Sequence, residues 1–156
     1  GTLGAKRPFV RLLDALEAEQ IGYVVIGMAA AIAQGVLANT LDIDLWINLP
    51  PRHYMRLINL SRKLGATMGA NTVVYLDDGT PVNFVYEMTG LDDFTKERRR
   101  AVLASIHGHD VPVLSLERIV KNKKAVGRDK DKLHILHIRD FLRCRREAGQ
   151  GRSRRD

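Results

Sequence analysis

Two aspartates, Asp42 and Asp44, stand on either side of Ile43, and three apolar residues, 45–47, follow them. In an extended strand alternate side chains share a face, which places the two carboxylates roughly 6–7 Å apart along the strand. Carboxylate oxygens so arranged can hold one hard divalent cation such as Mg²⁺. Acidic residues at the start of an apolar strand therefore indicate a candidate metal site.

A glycine turn precedes the aspartates. The apolar residues 23–26 run into Gly27 and Met28, and an alanine-rich helix is predicted over residues 28–34. The first N–H groups of a helix have no partner within the helix, so they attract phosphate oxygens. We therefore expect Gly27 and Met28 to bind the phosphates of a nucleotide beside the metal.

Basic residues that suit a triphosphate occur later in the chain. Lys124 and Arg128 are four positions apart, and on one helix they would form a single cationic patch. Ordinary surface charge is the alternative interpretation, in which Asp131 pairs with Arg128. His134 and its neighbour His137 lack a third ligand at the spacing of a zinc site, which favours a structural role for both.

The elements that must position these residues follow from periodicity. Strands are predicted over residues 23–26, 41–47, 72–76 and 82–86, with the last two forming a hairpin around Gly79. Helices are predicted before, between and after them, including one that begins at Ser115 and one that starts near residue 129. This order predicts an α+β fold, a mixed β-sheet covered by helices and closed by C-terminal helices.

Composition limits the protein class. The 156 residues suit one domain, predicted over residues 1–148, with a basic flexible tail over 149–156. No apolar stretch approaches the length of a membrane span, the first residues do not resemble a signal peptide, and Cys144 is the single cysteine. A cytoplasmic location is therefore expected.

The net charge of +7 includes six arginines within residues 143–156. This distribution favours a solvated helix face and tail over a dedicated nucleic-acid surface, although phosphates would still be attracted.

Three segments of the chain together resemble a known family. The glycine turn, the segment Thr40-Leu41-Asp42-Ile43-Asp44 and the segment 124–131 are similar to the nucleotidyltransferase superfamily that includes DNA polymerase beta. Within it, the chain most resembles bacterial nucleotidyltransferase-fold proteins related to abortive-infection toxins. There a Thr-x-Asp-x-Asp strand follows the turn, and a Lys-x3-Arg-x2-Asp segment closes the domain.

This resemblance implies an enzyme that binds a nucleoside triphosphate with Mg²⁺ and transfers a nucleotidyl group to a hydroxyl on RNA, protein or a small molecule. It also implies a partner protein of the toxin-antitoxin kind. Asp42 and Asp44 would be catalytic and would hold the metal, while Gly27, Met28, Lys124 and Arg128 would bind the nucleotide.

Two positions depart from the family pattern. Met28 replaces the usual glycine or serine, and Asn83 occupies the expected position of a third carboxylate. Asn83 can offer a carbonyl oxygen to the metal, but it carries no charge and cannot accept a proton as a general base. A non-catalytic nucleotide-, RNA- or protein-binding module on the same fold is therefore the alternative function.

Overall fold

The computed structural model describes residues 6–70 and 72–155, so Asp156 of the predicted tail lies outside the described residues. Helices and strands alternate as far as the third α-helix, after which strands come in runs of three and two and the last two helices follow one another. A 3₁₀ turn at Pro51–His53 leads into the third helix. The α-helices are α1 Pro8–Ala18, α2 Gly27–Ala33, α3 Tyr54–Lys63, α4 Phe94–Arg100, α5 Leu116–Val126 and α6 Asp129–Arg155. The strands are β1 Tyr23–Ile26, β2 Ile43–Ile47, β3 Thr67–Met68, β4 Val73–Tyr75, β5 Pro81–Val85, β6 Val102–Ile106 and β7 His109–Val113.

The described strands form one mixed sheet in the order β3-β4-β5-β2-β1-β7-β6. Strand β2 is central: it pairs antiparallel with β1 and parallel with β5. The hairpin predicted around Gly79 is present as the antiparallel pair β4 and β5. This sheet, with its covering and C-terminal helices, confirms the predicted fold class.

The core forms where helices cover the central strands. All four residues of β1 are buried, as are the last three of β2, because helices and neighbouring strands enclose them. From the first helix, Phe9, Leu12 and Leu16 are fully buried in the same core. Helix α2 packs against β1, β2 and α5, which brings the glycine turn and α5 to the same region of the sheet.

The two C-terminal helices differ from expectation in one respect each. Helix α5 ends at Val126 with Gly127 in the left-handed conformation (φ +70°), so Lys124 and Arg128 do not share a helix as predicted. Helix α6 continues through Gly149 and Gly151 to Arg155, where the sequence predicts a flexible tail. Each glycine costs a helix only about 1 kcal/mol, and good helix formers surround both.

None of the helices in the described residues is both long and apolar enough to span a bilayer.

Candidate nucleotide and metal site

A cavity of about 420 Å³ lies where β2 and β5 face α5 and the start of α6. It brings together most of the residues that the sequence predicts for the site, with Lys124 the exception. Its walls include Gly27, Met28, Thr40, Asp42, Asp44, Asn83, Val85, Glu87, Met88, Asn122, Lys123, Arg128, Lys130 and His134.

Gly27 is the first residue of α2 and touches the acidic part of the cavity. Its φ of +64° is one that residues with a side chain rarely adopt. A Cβ placed on Gly27 would lie 3.0 Å from Asp44 Oδ2. Two features therefore favour glycine at this position: the backbone conformation and the closeness of the Asp44 carboxylate.

The acidic wall is built by the pairing of three strands. Ile26 lies opposite Asp44 in the β1–β2 ladder, and Asn83 lies opposite Asp44 in the β2–β5 ladder. Asp42 precedes β2 and is exposed, while Asp44 is partly buried. Burial raises the pKa of Asp44, and the nearby Asp42 raises it further, whereas a hydrogen bond from Asn83 opposes the shift. A cation at this wall would stabilise the ionised form of Asp44.

Asn83 is held by two hydrogen bonds. Thr72 Oγ1 donates to Asn83 Oδ1, and Asn83 Nδ2 donates to Asp44 Oδ1 over 3.3 Å. The amide nitrogen of Asn83, and not its oxygen, therefore faces Asp44. In this orientation Asn83 donates a hydrogen bond to Asp44. The amide of Asn83 would have to rotate before its oxygen could become the metal ligand that the sequence predicts.

The donor set fits one hard cation. Among residues 6–70 and 72–155, no three histidine, cysteine or acidic side chains gather as a metal site. Mg²⁺, however, is usually held by one or two carboxylates together with water and substrate phosphates. Asp42 and Asp44 supply those carboxylates on a cavity wall, so the residues present are compatible with Mg²⁺ bound together with a triphosphate.

The opposite wall is basic, and its buried member is Lys123, which is only 6% exposed. Lys123 Nζ lies 3.3 Å from Asp131 Oδ1 and 2.9 Å from His134 Nδ1. Burial lowers the pKa of Lys123, although the Asp131 carboxylate opposes the change. Burial also lowers the pKa of His134, and the ammonium of Lys123 adds to that effect.

Arg128 completes this wall by pairing with Asp131, the contact that the alternative interpretation of the sequence contained. Arg128 donates to Asp131 from Nε (2.7 Å), from Nη2 (3.1 Å) and from its backbone N–H (3.1 Å). Burial would raise the pKa of Asp131, but the hydrogen bonds from Arg128 and the charge of Lys123 lower it to about 2. Asp131 is therefore a permanent anion that fixes both cations.

Lys124, which the sequence places in the site, is exposed and does not line the cavity. Lys123 occupies the cavity instead, because it continues the buried stripe of α5 formed by Leu116 and Ile119. Those positions fall at helical spacing, i, i+3 and i+7, so the phase of the stripe could have identified Lys123 from the sequence. His134, assigned a structural role by its spacing, also lines the cavity.

Glu87 and Lys130 are further cavity residues that sequence reasoning missed. Glu87 follows Asn83 and Val85 at alternate positions, which is a signal of a shared strand face. Lys130 carries no such signal, because its placement depends on how α6 turns back after Gly127.

No protein-family profile matches the chain, and none of the curated proteins matches it in sequence. Solved structures do match in fold. The lincomycin-bound lincosamide antibiotic adenylyltransferase LnuA superposes with a TM-score of 0.59 at 12% identity, covering 86% of this chain and 96% of that chain.

Two further structures give the same result. TM1012 of Thermotoga maritima, assigned as a nucleotidyltransferase, has a TM-score of 0.57 at 21% identity and covers 86% of this chain and 90% of its own. The complex of ANT(2″)-Ia with adenylyl-2″-tobramycin has a TM-score of 0.54 at 16% identity, covering 95% of this chain and 97% of that chain. The predicted resemblance to nucleotidyltransferases is thus confirmed at the level of fold, while the link to toxins stays a prediction. The chain has the nucleotidyltransferase fold.

Proposed function

We propose that the chain binds a nucleoside triphosphate with Mg²⁺ in this cavity and transfers a nucleotidyl group to an acceptor hydroxyl. The observation that carries the proposal is the convergence of the Gly27 turn with Asp42 and Asp44 on one wall, opposite Lys123 and Arg128. Hard oxygen ligands and fixed cations on facing walls suit a metal-bound polyphosphate.

Each wall has its own part in this reaction. Asp42 and Asp44 would hold Mg²⁺, which supplies charge stabilisation at the phosphates when it is bound. The backbone N–H groups at Gly27 and Met28 would donate to phosphate oxygens, and Lys123 with Arg128 would offset the triphosphate charge. Lys123 replaces the Lys124 of the sequence prediction in this role.

The chemistry is a single displacement. The acceptor oxygen attacks the α-phosphorus and forms a new O–P bond, while the bond from that phosphorus to the oxygen bridging to the β-phosphate breaks. Pyrophosphate leaves, and the hydroxyl proton passes to water because Asn83 cannot accept it. Without a carboxylate at position 83, we expect slow transfer.

Calorimetric titration of each nucleoside triphosphate, with and without Mg²⁺, tests the site. We expect Mg²⁺-dependent binding that weakens at least tenfold in the Asp42→Asn, Asp44→Asn double variant. The matched control is Asp77→Asn, Asp78→Asn, which removes an exposed acidic pair outside the cavity. Equal affinity of wild type and the Asp42, Asp44 variant would contradict the assignment of these two aspartates to the metal site.

The second candidate is a non-catalytic binding module on the same fold. It is favoured by Asn83, whose amide already donates to Asp44 in place of a third carboxylate. Incubation with α-labelled triphosphates and RNA, protein or small-molecule acceptors separates the two functions. Intact Mg²⁺-dependent binding without any transferred label would support the binding module over the enzyme.

A further inference from the structure

A second cavity, of about 530 Å³, adjoins the first. Glu87 and Met88 line both cavities, so the two spaces meet along the chain that leaves β5. Beyond this junction, the lining of the second cavity includes the aromatic residues Trp46, Tyr86 and Phe94. A ligand held there would extend toward the carboxylates of Asp42 and Asp44 from a side that the phosphates do not occupy in the proposed arrangement.

The aromatic wall of the second cavity is rigid. The rings of Trp46 and Phe94 meet edge to face with centroids 5.4 Å apart. The Trp46 indole N–H donates to the Tyr86 carbonyl oxygen over 3.2 Å, which fixes the indole plane. Phe94 reaches this position because Gly22 has no side chain: a Cβ there would lie 2.9 Å from Phe94 Cε1. Preformed aromatic walls with few polar groups are typical of small-molecule sites.

The charge of this cavity is opposite to that of the chain. Its lining contains three acidic residues, Glu87, Asp92 and Asp93, and no basic residue, although the net charge of the chain is +7. Asp92 is paired with Arg100 at 2.6 Å, and the Asp93 carboxylate accepts the N–H of Lys96 as the cap of α4. Glu87 has no ion pair among the described residues, so its charge is available to a ligand.

We propose that this second cavity is the acceptor subsite, and that it takes a small hydroxylated amine with an aromatic or apolar body. The proposal rests on the function proposed above and narrows its acceptor. The body packs against Phe94, which the buried Trp46 supports from behind, the ammonium group pairs with Glu87, and the hydroxyl extends toward Asp44. A nucleic acid is disfavoured as acceptor because its phosphates would meet the carboxylate of Glu87, which has no ion pair in the described part of the chain.

Three probes of similar shape test the charge and the aromatic wall of the site, without placing a hydroxyl at Asp44: tyramine, its uncharged counterpart 4-ethylphenol, and the anionic 3-(4-hydroxyphenyl)propionate. Trp46 is the only tryptophan, so its indole N–H gives a single assignable NMR signal that reports on the cavity. We expect tyramine to shift that signal saturably, 4-ethylphenol to bind at least fivefold more weakly, and the anion to bind more weakly still. Equal or reversed affinities would overturn the assignment of an amine site.

The variant Glu87→Gln should weaken tyramine at least fivefold and leave 4-ethylphenol unchanged. Glu147→Gln, which neutralises an exposed carboxylate on α6 outside both cavities, is the matched control. Because Glu87 is exposed, its replacement does not endanger folding. Unchanged tyramine affinity in Glu87→Gln would contradict the role of its charge.

Simultaneous binding separates this proposal from the proposed function. With saturating Mg²⁺ and a non-hydrolysable triphosphate, tyramine should still shift the Trp46 signal, because the two ligands occupy adjoining cavities. Competition between them would overturn the acceptor subsite while leaving nucleotide binding intact. Tyramine binding in a protein that binds no triphosphate would overturn both the proposed function and the acceptor role.

Discussion

Helix α5 carries an ionic network near each end, and the two networks differ in what they leave unpaired. Near its N-terminus, Arg118 donates through Nε to Glu97 Oε1 at 2.9 Å, and its second nitrogen, Nη2, reaches Glu97 Oε2. The backbone N–H of Asp92 also donates to Glu97, and Arg100 pairs with Asp92. Two carboxylates meet two guanidinium groups, so this N-terminal network is balanced.

The C-terminal network has one cation more than it has anions. Among the described residues, Asp131 is the one carboxylate in ion-pair contact with both Lys123 and Arg128. His134 Nδ1 accepts a hydrogen bond from Lys123. Unlike the N-terminal network, this one lines the cavity opposite Asp44. Burial lowers the pKa of Lys123 because desolvation disfavours its charged form, and the carboxylate of Asp131 opposes this shift.

The two networks distinguish a structural ion pair from a candidate binding group. A buried carboxylate whose oxygens are all used, like Glu97, stabilises the fold and offers nothing to a ligand. An excess cation that stays beside an open cavity, like Lys123, lowers its own energy when an anion arrives. We therefore expect mutations in the N-terminal network to change stability and mutations in the C-terminal network to change affinity.

The largest expected effect is that of Glu97→Ala. Glu97 is fully buried, so its removal leaves Arg118 without its partner and should lower the free energy of unfolding by about 3–5 kcal/mol. Urea unfolding followed by circular dichroism measures this change. Asp14→Ala breaks the exposed pair with Lys6 and should cost less than about 1 kcal/mol. A similar loss in both variants would contradict a structural role for the N-terminal network.

The second expected effect is on affinity. Lys123→Met removes a charged donor to phosphate and should weaken Mg²⁺-dependent triphosphate binding by about 10- to 100-fold. Its unfolding free energy should fall by less than that of Glu97→Ala, since Arg128 still pairs with Asp131 and methionine fills the buried site. Lys124→Met, one residue along on the exposed face, is the control for calorimetry. Equal losses of affinity in the two variants would contradict the assignment of Lys123 as the lysine that contacts the triphosphate.

The third effect concerns the metal wall. Asn83→Asp adds a carboxylate opposite Asp44 and should strengthen binding of Mg²⁺ or Mn²⁺ by about tenfold, or ~1.4 kcal/mol. Without metal, the same change should lower the melting temperature, because two carboxylates then repel each other. Thermal melts across a Mn²⁺ series measure both, with the exposed Asn59→Asp on α3 as the control. A melting temperature insensitive to Mn²⁺ would argue against a metal at this wall.

The smallest effect is a pH dependence. The pKa of Asp131 falls from its usual 3.8 to about 2 in the folded protein, so its stabilising contribution is complete above about pH 5. Protonation removes that contribution progressively as the pH falls from about 5 toward about 1. The difference in unfolding free energy between wild type and Asp131→Asn should therefore shrink as the pH falls below about 5. If the difference grew on acidification, the ionised form of Asp131 would not be the form that stabilises the fold, which would contradict this prediction.

Much of the fold could be predicted from local pattern. The buried run of β1, the hairpin at Gly79 and the cap at Ser115 each depend on nearby residues, and each is present. The acidic wall was also predictable, because strand alternation and parallel pairing bring Asp44 and Asn83 to one level. These features need no knowledge of distant packing.

The basic wall was less predictable because it depends on chain reversal. Spacing alone suggested Lys124 with Arg128 on one helix, but Gly127 adopts the left-handed conformation and ends that helix between them. Only the turn that follows brings Arg128 and His134 back beside Lys123. Likewise, arginine and other helix formers outweighed Gly149 and Gly151, so the helix continues where glycine predicted an end.

The most direct test of the central claim is crystallography with Mn²⁺ and a non-hydrolysable nucleoside triphosphate. We expect an anomalous Mn²⁺ peak at the carboxylates of Asp42 and Asp44, with the phosphates between that metal and the side chains of Lys123 and Arg128. A triphosphate bound elsewhere, or bound in this cavity with Mn²⁺ away from both aspartates, would contradict it.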